Sequence, residues 1–235
     1  MLKSKLFAAT AILGLAALSL AATLDGYSFK RTPKEGESHK YKQSGKFEAG
    51  GMEITYEATS TNKVAKVEAD GTFLEESTTG DVKMNGQEPP DGGAGGSQKT
   101  TTKYSPKGEV LEIKSENVGA EAYRFANLAL FVTPETDIKV GDSWTYEVKE
   151  DKKTGAAAAK ATYKLVAEEK VGDVDALKLT VSIKETATDG ASSESTVWLS
   201  KTDYTMLKTT AKWTNAPIPG APVTISGEMT ITLVK

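Results

Sequence analysis

The chain has no cysteine and a single histidine, His39, among its 235 residues. Without thiols there is no disulfide scaffold, no cysteine nucleophile and no thiolate zinc site. One imidazole excludes a histidine-bridged metal centre and leaves His39 alone to support any Ser-His-Asp triad. Only Arg31 and Arg124 are arginines, within 29 lysines and arginines in all. Bidentate clamps on phosphate or carboxylate are therefore scarce. Aromatic residues make up 7%, thin for the two interfacial girdles of an outer-membrane barrel. No Asn-x-Ser/Thr sequon occurs, so N-glycosylation at that motif is not expected.

What is present is a globular composition. Hydrophobic residues are 38% and charged residues 26%, enough for a core in one large domain or two small ones. The one long apolar run is at the N-terminus. Lys3 and Lys5 precede Leu6–Leu20, and Ser19-Leu20-Ala21 puts small residues where signal peptidase reads them. Residues 1–21 read as a signal peptide cleaved after Ala21, and 22–235 as one β domain. No cysteine follows, so a lipoprotein anchor is not expected, nor an integral span after cleavage. Loss of Lys3 and Lys5 takes the net charge from −3 to −5, which argues against nucleic acid as a partner.

Threonine is abundant, and alternation with period two recurs. Ile54, Tyr56 and Ala58 alternate with polar neighbours. So do Trp144, Tyr146 and Val148, then Leu177, Leu179, Val181 and Ile183, then Leu207, Ala211 and Trp213, then Ile225, Met229, Ile231 and Leu233. One wet and one apolar face per strand marks antiparallel sheet. Asp70-Gly71, Gly172-Asp173, Asp189-Gly190 and Ser105-Pro106-Lys107-Gly108 supply turns. Gly86–Gln98 and Thr214–Pro222 read as loops. Ala122, Phe125, Ala126, Ala129 and Leu130 recur at helical spacing, predicting one helix near 120–131. The fold class expected is mainly β: a large curved antiparallel sheet or half-barrel of ten to eleven strands with one short helix.

Two halves resemble each other. Gly36, Ser38 and Tyr41 match Gly141, Ser143 and Tyr146 at an offset of 105, and Thr55-Tyr56 matches Thr162-Tyr163 at 107. Thr102, Tyr104 and Lys107 match Thr196, Trp198 and Lys201 at 94. The expected repeats are 34–114 and 139–208.

No residues are expected to be catalytic or metal-binding, and no cofactor is expected. His39 lacks a neighbouring nucleophile motif and reads as a strand residue. Glu75-Glu76 and Glu168-Glu169 lack the local context of a paired-carboxylate hydrolase. In KVGDSW (139–144), Gly141 and Asp142 form a turn and Trp144 starts a strand as a large anchor. The candidate ligand-contacting residues are Trp144, Phe125, Leu130 and Trp198.

KVGDSW, YKLVAEEKVGDVDALKLTV (163–181) and VWLSKTDYTMLK (197–208) resemble uncharacterised secreted bacterial β domains with a G-D-x-W strand start. More distantly, the chain resembles the half-barrel carriers of the lipoprotein-sorting (Lol-type) system. That resemblance implies a curved antiparallel sheet whose concave side, closed by a helix, holds acyl chains. No functional residue of those carriers matches position by position. The expectation is a non-enzymatic exported bacterial protein, periplasmic or extracellular, that binds a lipid or other hydrophobic ligand. The alternative is a structural or protein-interaction module, partnered by an envelope protein, with its site on loops 86–98 and 214–222.

Overall fold

A computed structural model describes residues 26–89, 98–115, 119–219 and 223–234. The proposed signal peptide, 1–21, lies outside them. Among the described residues the chain forms eleven strands and one helix. They are β1 (Ser38–Ala49), β2 (Met52–Val67), β3 (Phe73–Met84), β4 (Gln98–Tyr104), β5 (Val110–Lys114), α1 (Ala120–Leu128), β6 (Ser143–Val148), β7 (Ala159–Val171), β8 (Val174–Glu185), β9 (Ser192–Ser200), β10 (Met206–Pro217) and β11 (Thr224–Leu233). All pairings are antiparallel, in the order β5-β4-β3-β2-β1-β11-β10-β9-β8-β7-β6. The mainly β class with one short helix is as the alternation implies.

The sheet curls back on itself. Eleven strands laid flat would separate the two edges by about 48 Å, at ~4.8 Å per strand. Yet the Tyr146 hydroxyl on edge strand β6 donates to Glu109, next to edge strand β5, at 2.9 Å. No ladder joins β5 to β6, so the barrel stays open along one seam. Bulges in β2 (Glu57/Thr59 and Val64/Lys66) and β7 (Leu165/Ala167) add bend and twist.

α1 lies inside the curl and packs on β10, β5 and β8. Its Tyr123 hydroxyl accepts the Ile113 N–H at 3.0 Å, satisfying a donor on β5. The helix stops at Leu128, not at 131 as the apolar spacing suggests. Tertiary bonds take the next residues instead. The buried Tyr163 hydroxyl donates to Leu130 O (3.1 Å) and accepts from Val132 N–H (3.4 Å), and Trp144 Nε1–H donates to Val132 O (2.9 Å). Gly108 closes the other side of this segment: at φ +96°, any Cβ would sit 2.3 Å from the Phe131 carbonyl. Tyr163→Phe is expected to cost about 1–2 kcal/mol, because both backbone groups lose a partner away from water. A lowered urea midpoint with an unchanged slope is the expected readout.

β10 also departs from expectation. It runs on to Pro217, through a bulge at Trp213/Ala216, and Ala216 still pairs with Ile225. The loop expected at 214–222 is thus half strand, and residues 220–222 lie outside the described chain. Gln98 likewise opens β4 rather than ending a loop, while residues 90–97 lie outside.

The sheet consists of two five-stranded meanders, β1–β5 and β6–β10, with β11 between β1 and β10. They begin alike. Gly36 N–H donates to Val64 O (2.8 Å), Val64 N–H returns to Glu37 O (2.8 Å), and Lys34 N–H reaches the Glu37 carboxylate (3.1 Å). In the second meander, Gly141 N–H donates to Leu165 O (2.8 Å), Leu165 N–H to Asp142 O (3.1 Å), and Lys139 N–H to the Asp142 carboxylate (2.9 Å). Both glycines sit at positive φ, 85° and 100°. The turns after β4 and β9 also agree: Ser105 Oγ accepts from Lys107 N–H and Ser200 Oγ from Thr202 N–H. That sets Ser105 against Ser200, an offset of 95, so the offset of 94 misses by one residue. Val64 against Leu165 is an offset of 101, so the offset of 107 that matches Thr55-Tyr56 to Thr162-Tyr163 misses by six residues.

Candidate functional site

One face of all eleven strands points into the curl. The pairings carry this face across the sheet, for example Tyr104–Phe73, Tyr41–Leu233, Ala211–Met229 and Tyr163–Val181. Its two halves differ in chemistry. On β7–β9 the inward residues are mostly apolar: Ala161, Tyr163 and Leu165, then Leu177, Leu179, Val181 and Ile183, then Val197 and Leu199, with Ser193 and Ser195 the polar exceptions on β9. On β2–β4 the matching positions carry Ser60, Asn62, Glu75, Ser77, Thr100 and Thr102. The core therefore gathers on one side, where α1 and segment 129–133 pack against β7–β11.

Between the two halves lies a cavity of about 430 Å³, within the range of sites that hold drug-sized ligands. On β10 its lining extends from Met206 to Trp213, roughly 20–25 Å at ~3.3 Å per residue. Phe125, Leu128 and Leu130 face it from the helix side, and Val181, Ile183, Ala211 and Ile231 from the sheet. Trp213 stacks on Phe47 at 5.8 Å and meets Phe125 edge-on at 4.9 Å. Its Nε1–H is buried with no partner among the described residues. A second space of about 420 Å³ lies at the seam, lined by both edges, and Val110 and Leu130 line both spaces.

The other end of the cavity is polar. Arg31, Tyr41, Asn62, Glu75 and Tyr104 line it. The Asn62 amide donates to Glu75 Oε1 at 3.2 Å and accepts from Ser77 at 3.0 Å. Burial raises the Glu75 carboxyl above its usual range, and the charges of Arg31 and His39 offset this in part. Burial likewise pushes the Tyr41 phenol up to about 12 and raises that of Tyr104. Arg31 is neutralised by Glu37 at 2.6 Å, and His39 Nε2 lies 2.8 Å from the same oxygen. Burial acts to raise Glu37, but the His39 and Arg31 hydrogen bonds outweigh it and bring the group down from 4.5 to about 2.

That shift has a readable sign. A carboxylate depressed in the folded state adds stability above its ordinary pKa and loses it as pH falls. The contribution of Glu37 should disappear between about pH 4.5 and pH 2. Glu75, raised, has the opposite sign: its contribution is full below the ordinary carboxylate pKa and fades as pH rises through the folded value. Glu37→Gln should flatten the fall of the urea midpoint between about pH 5 and pH 2. An unchanged acid slope would contradict the Arg31–Glu37–His39 assignment.

Of the residues singled out from sequence, Phe125 and Leu130 line the cavity. Trp144 does not. It packs behind the wall, stacked on Tyr163 at 5.0 Å and against Phe29 at 5.5 Å. Trp198 is on the opposite face: Val197 and Leu199 point inward, so period two turns Trp198 outward. There its ring lies between Lys178 and Lys208, 5.4 and 5.1 Å away, and its indole N–H donates to Glu169. Glu168 pairs with Lys201 and accepts from the Tyr27 hydroxyl, and Glu76 pairs with Lys99. Among the described residues no group of three His, Asp or Glu side chains could hold a metal ion, and no helix is long and apolar enough to cross a membrane. Phe29 and Asn62 were not singled out from sequence, and Glu75 entered only as half of the Glu75-Glu76 pair set aside as a hydrolase candidate. Arg31 carried a signal in its rarity, since both arginines form ion pairs, Arg31 with Glu37 ahead of β1 and Arg124 of α1 with Glu185 of β8.

The fold and site define a nearly closed antiparallel β-barrel with an elongated, two-sided interior. No protein-family model and no curated protein matches the chain. Among solved structures it is similar to the hypothetical lipoprotein YmcC from Escherichia coli K12, at 14% identity and a TM-score of 0.36, over 86% of this chain and 89% of that one. It is also similar to a DUF1329 family protein from Desulfovibrio piger, at 12% identity and a TM-score of 0.31, over 85% of each chain.

Proposed function

We propose that this is an exported, non-enzymatic bacterial envelope protein that binds one hydrophobic or amphiphilic chain inside its barrel. The observation that carries this is the shape and lining of the cavity: long, narrow and apolar along α1 and β8–β11. A solidly packed sheet interior would leave no such space. Export is supported by the N-terminal run of Lys3, Lys5 and Leu6–Leu20 with its small-residue cleavage site. Burial of an aliphatic chain supplies the affinity, at ~0.8 kcal/mol per methylene removed from water. N-phenyl-1-naphthylamine, an uncharged dye that brightens in apolar sites, tests the reading. Saturable binding at one site per protein is the expected outcome. Fluorescence that never saturates, or no enhancement, would overturn it.

A further inference from the structure

Resting on that reading, we infer that the polar end of the cavity, centred on Glu75, takes the head group of the bound chain and selects a hydrogen-bond donor, an amine ahead of an alcohol. Glu75 stands on the inner face of β3, where the second meander has Leu179. A carboxyl replaces an apolar residue at a matched position of the same wall. One of its oxygens takes the Asn62 amide, and the other has no hydrogen-bond partner among the described residues. Glu75 lies deep among protein atoms yet remains partly accessible, because the surface it exposes faces the cavity.

The cations near this end are already engaged. Arg31 is held by Glu37, and Lys107 by Glu135. His39, on β1, also points to Glu37. Tyr41 and Tyr104, from β1 and β4, are phenols that stay neutral at physiological pH. The phenols can each donate or accept a hydrogen bond, and the second Glu75 oxygen is the group left needing a donor. An ammonium would restore to Glu75 the charged hydrogen bond that burial withholds, and a hydroxyl would supply a neutral one. A carboxylate or phosphate head would face that acceptor with no unpaired lysine or arginine lining the site among the described residues.

The test uses the mature protein and displacement of N-phenyl-1-naphthylamine by dodecylamine, dodecanol and dodecanoate, all below their micellar concentrations. At neutral pH dodecylamine should displace the dye at least about tenfold more effectively than dodecanoate, the scale of one charge-assisted hydrogen bond. In Glu75→Gln that preference should collapse, with a cooperative thermal transition as the check that the barrel still folds. Dodecanoate binding as well as dodecylamine, or a preference untouched by Glu75→Gln, overturns the head-group assignment alone. A wild type that binds no dye removes the cavity reading, and this assignment with it.

Discussion

Arg124→Ala should lower the stability of the fold by about 3–5 kcal/mol, the cost of leaving a buried charge without its partner. The thermal midpoint would fall by roughly 6–20 °C for a domain of this size. Arg124 reaches from α1 to β8, where its Nε–H and Nη2–H each donate to a Glu185 oxygen at 2.7 Å. Glu185 is only 4% exposed, and its Oε2 also accepts the Ala191 N–H at 2.8 Å. Burial acts to raise the Glu185 carboxyl, yet Arg124 and the Ala191 amide bring it net below the usual range. Removing the guanidinium leaves that carboxylate in a dry site at the end of β8. It also releases the helix that lines the cavity. The double variant Arg124→Met/Glu185→Leu should regain much of the loss, since an apolar pair of similar size avoids the desolvation cost. Recovery stays incomplete because the Ala191 amide is orphaned. A small effect from Arg124→Ala alone would show that α1 is held by its apolar face.

Ala211→Trp should weaken dye binding about 60-fold without unfolding the protein. Ala211 lies on the inner face of β10, between Thr209 and Trp213, midway along the cavity wall. An indole there occupies the channel. Denying a ligand about 100 Å² of apolar contact at ~25 cal/mol per Å² weakens binding about 60-fold. The ring enters existing space, so overpacking should cost no more than about 1–3 kcal/mol. Trp198→Ala, which removes an indole from the outer face, should leave dye affinity untouched. Equal effects from the two would mean that the dye binds the outside of the barrel.

The barrel was legible in the sequence because its strands each bury one face. Leu177 to Ile183 and Leu207 to Trp213 alternate cleanly, and the turns carry Gly, Asp and Pro where they are needed. The end of α1 was not legible. The apolar spacing runs on through Ala129 and Leu130, and only the Tyr163 hydroxyl and Trp144 indole, from distant strands, pull the chain out of the helix. The expected match between the two halves shows how unforgiving strand register is. Its first landmark, Gly36 against Gly141, falls on matched hydrogen bonds, but a slip of one residue further on paired Tyr104, which lines the cavity, with Trp198, which faces outward. The polar end of the site escaped notice for a related reason. Asn62, Glu75 and Ser77 are polar positions in Thr-rich strands, and only the curl of the sheet turns them toward an interior.

The most direct test of the chain-binding account is native mass spectrometry of the mature protein purified from its own host. The account predicts a single adduct of one amphiphilic chain per protein, with an amine or hydroxyl head, that is absent from Ala211→Trp. A bare mass for the wild type, identical in form to that of Ala211→Trp, would contradict it.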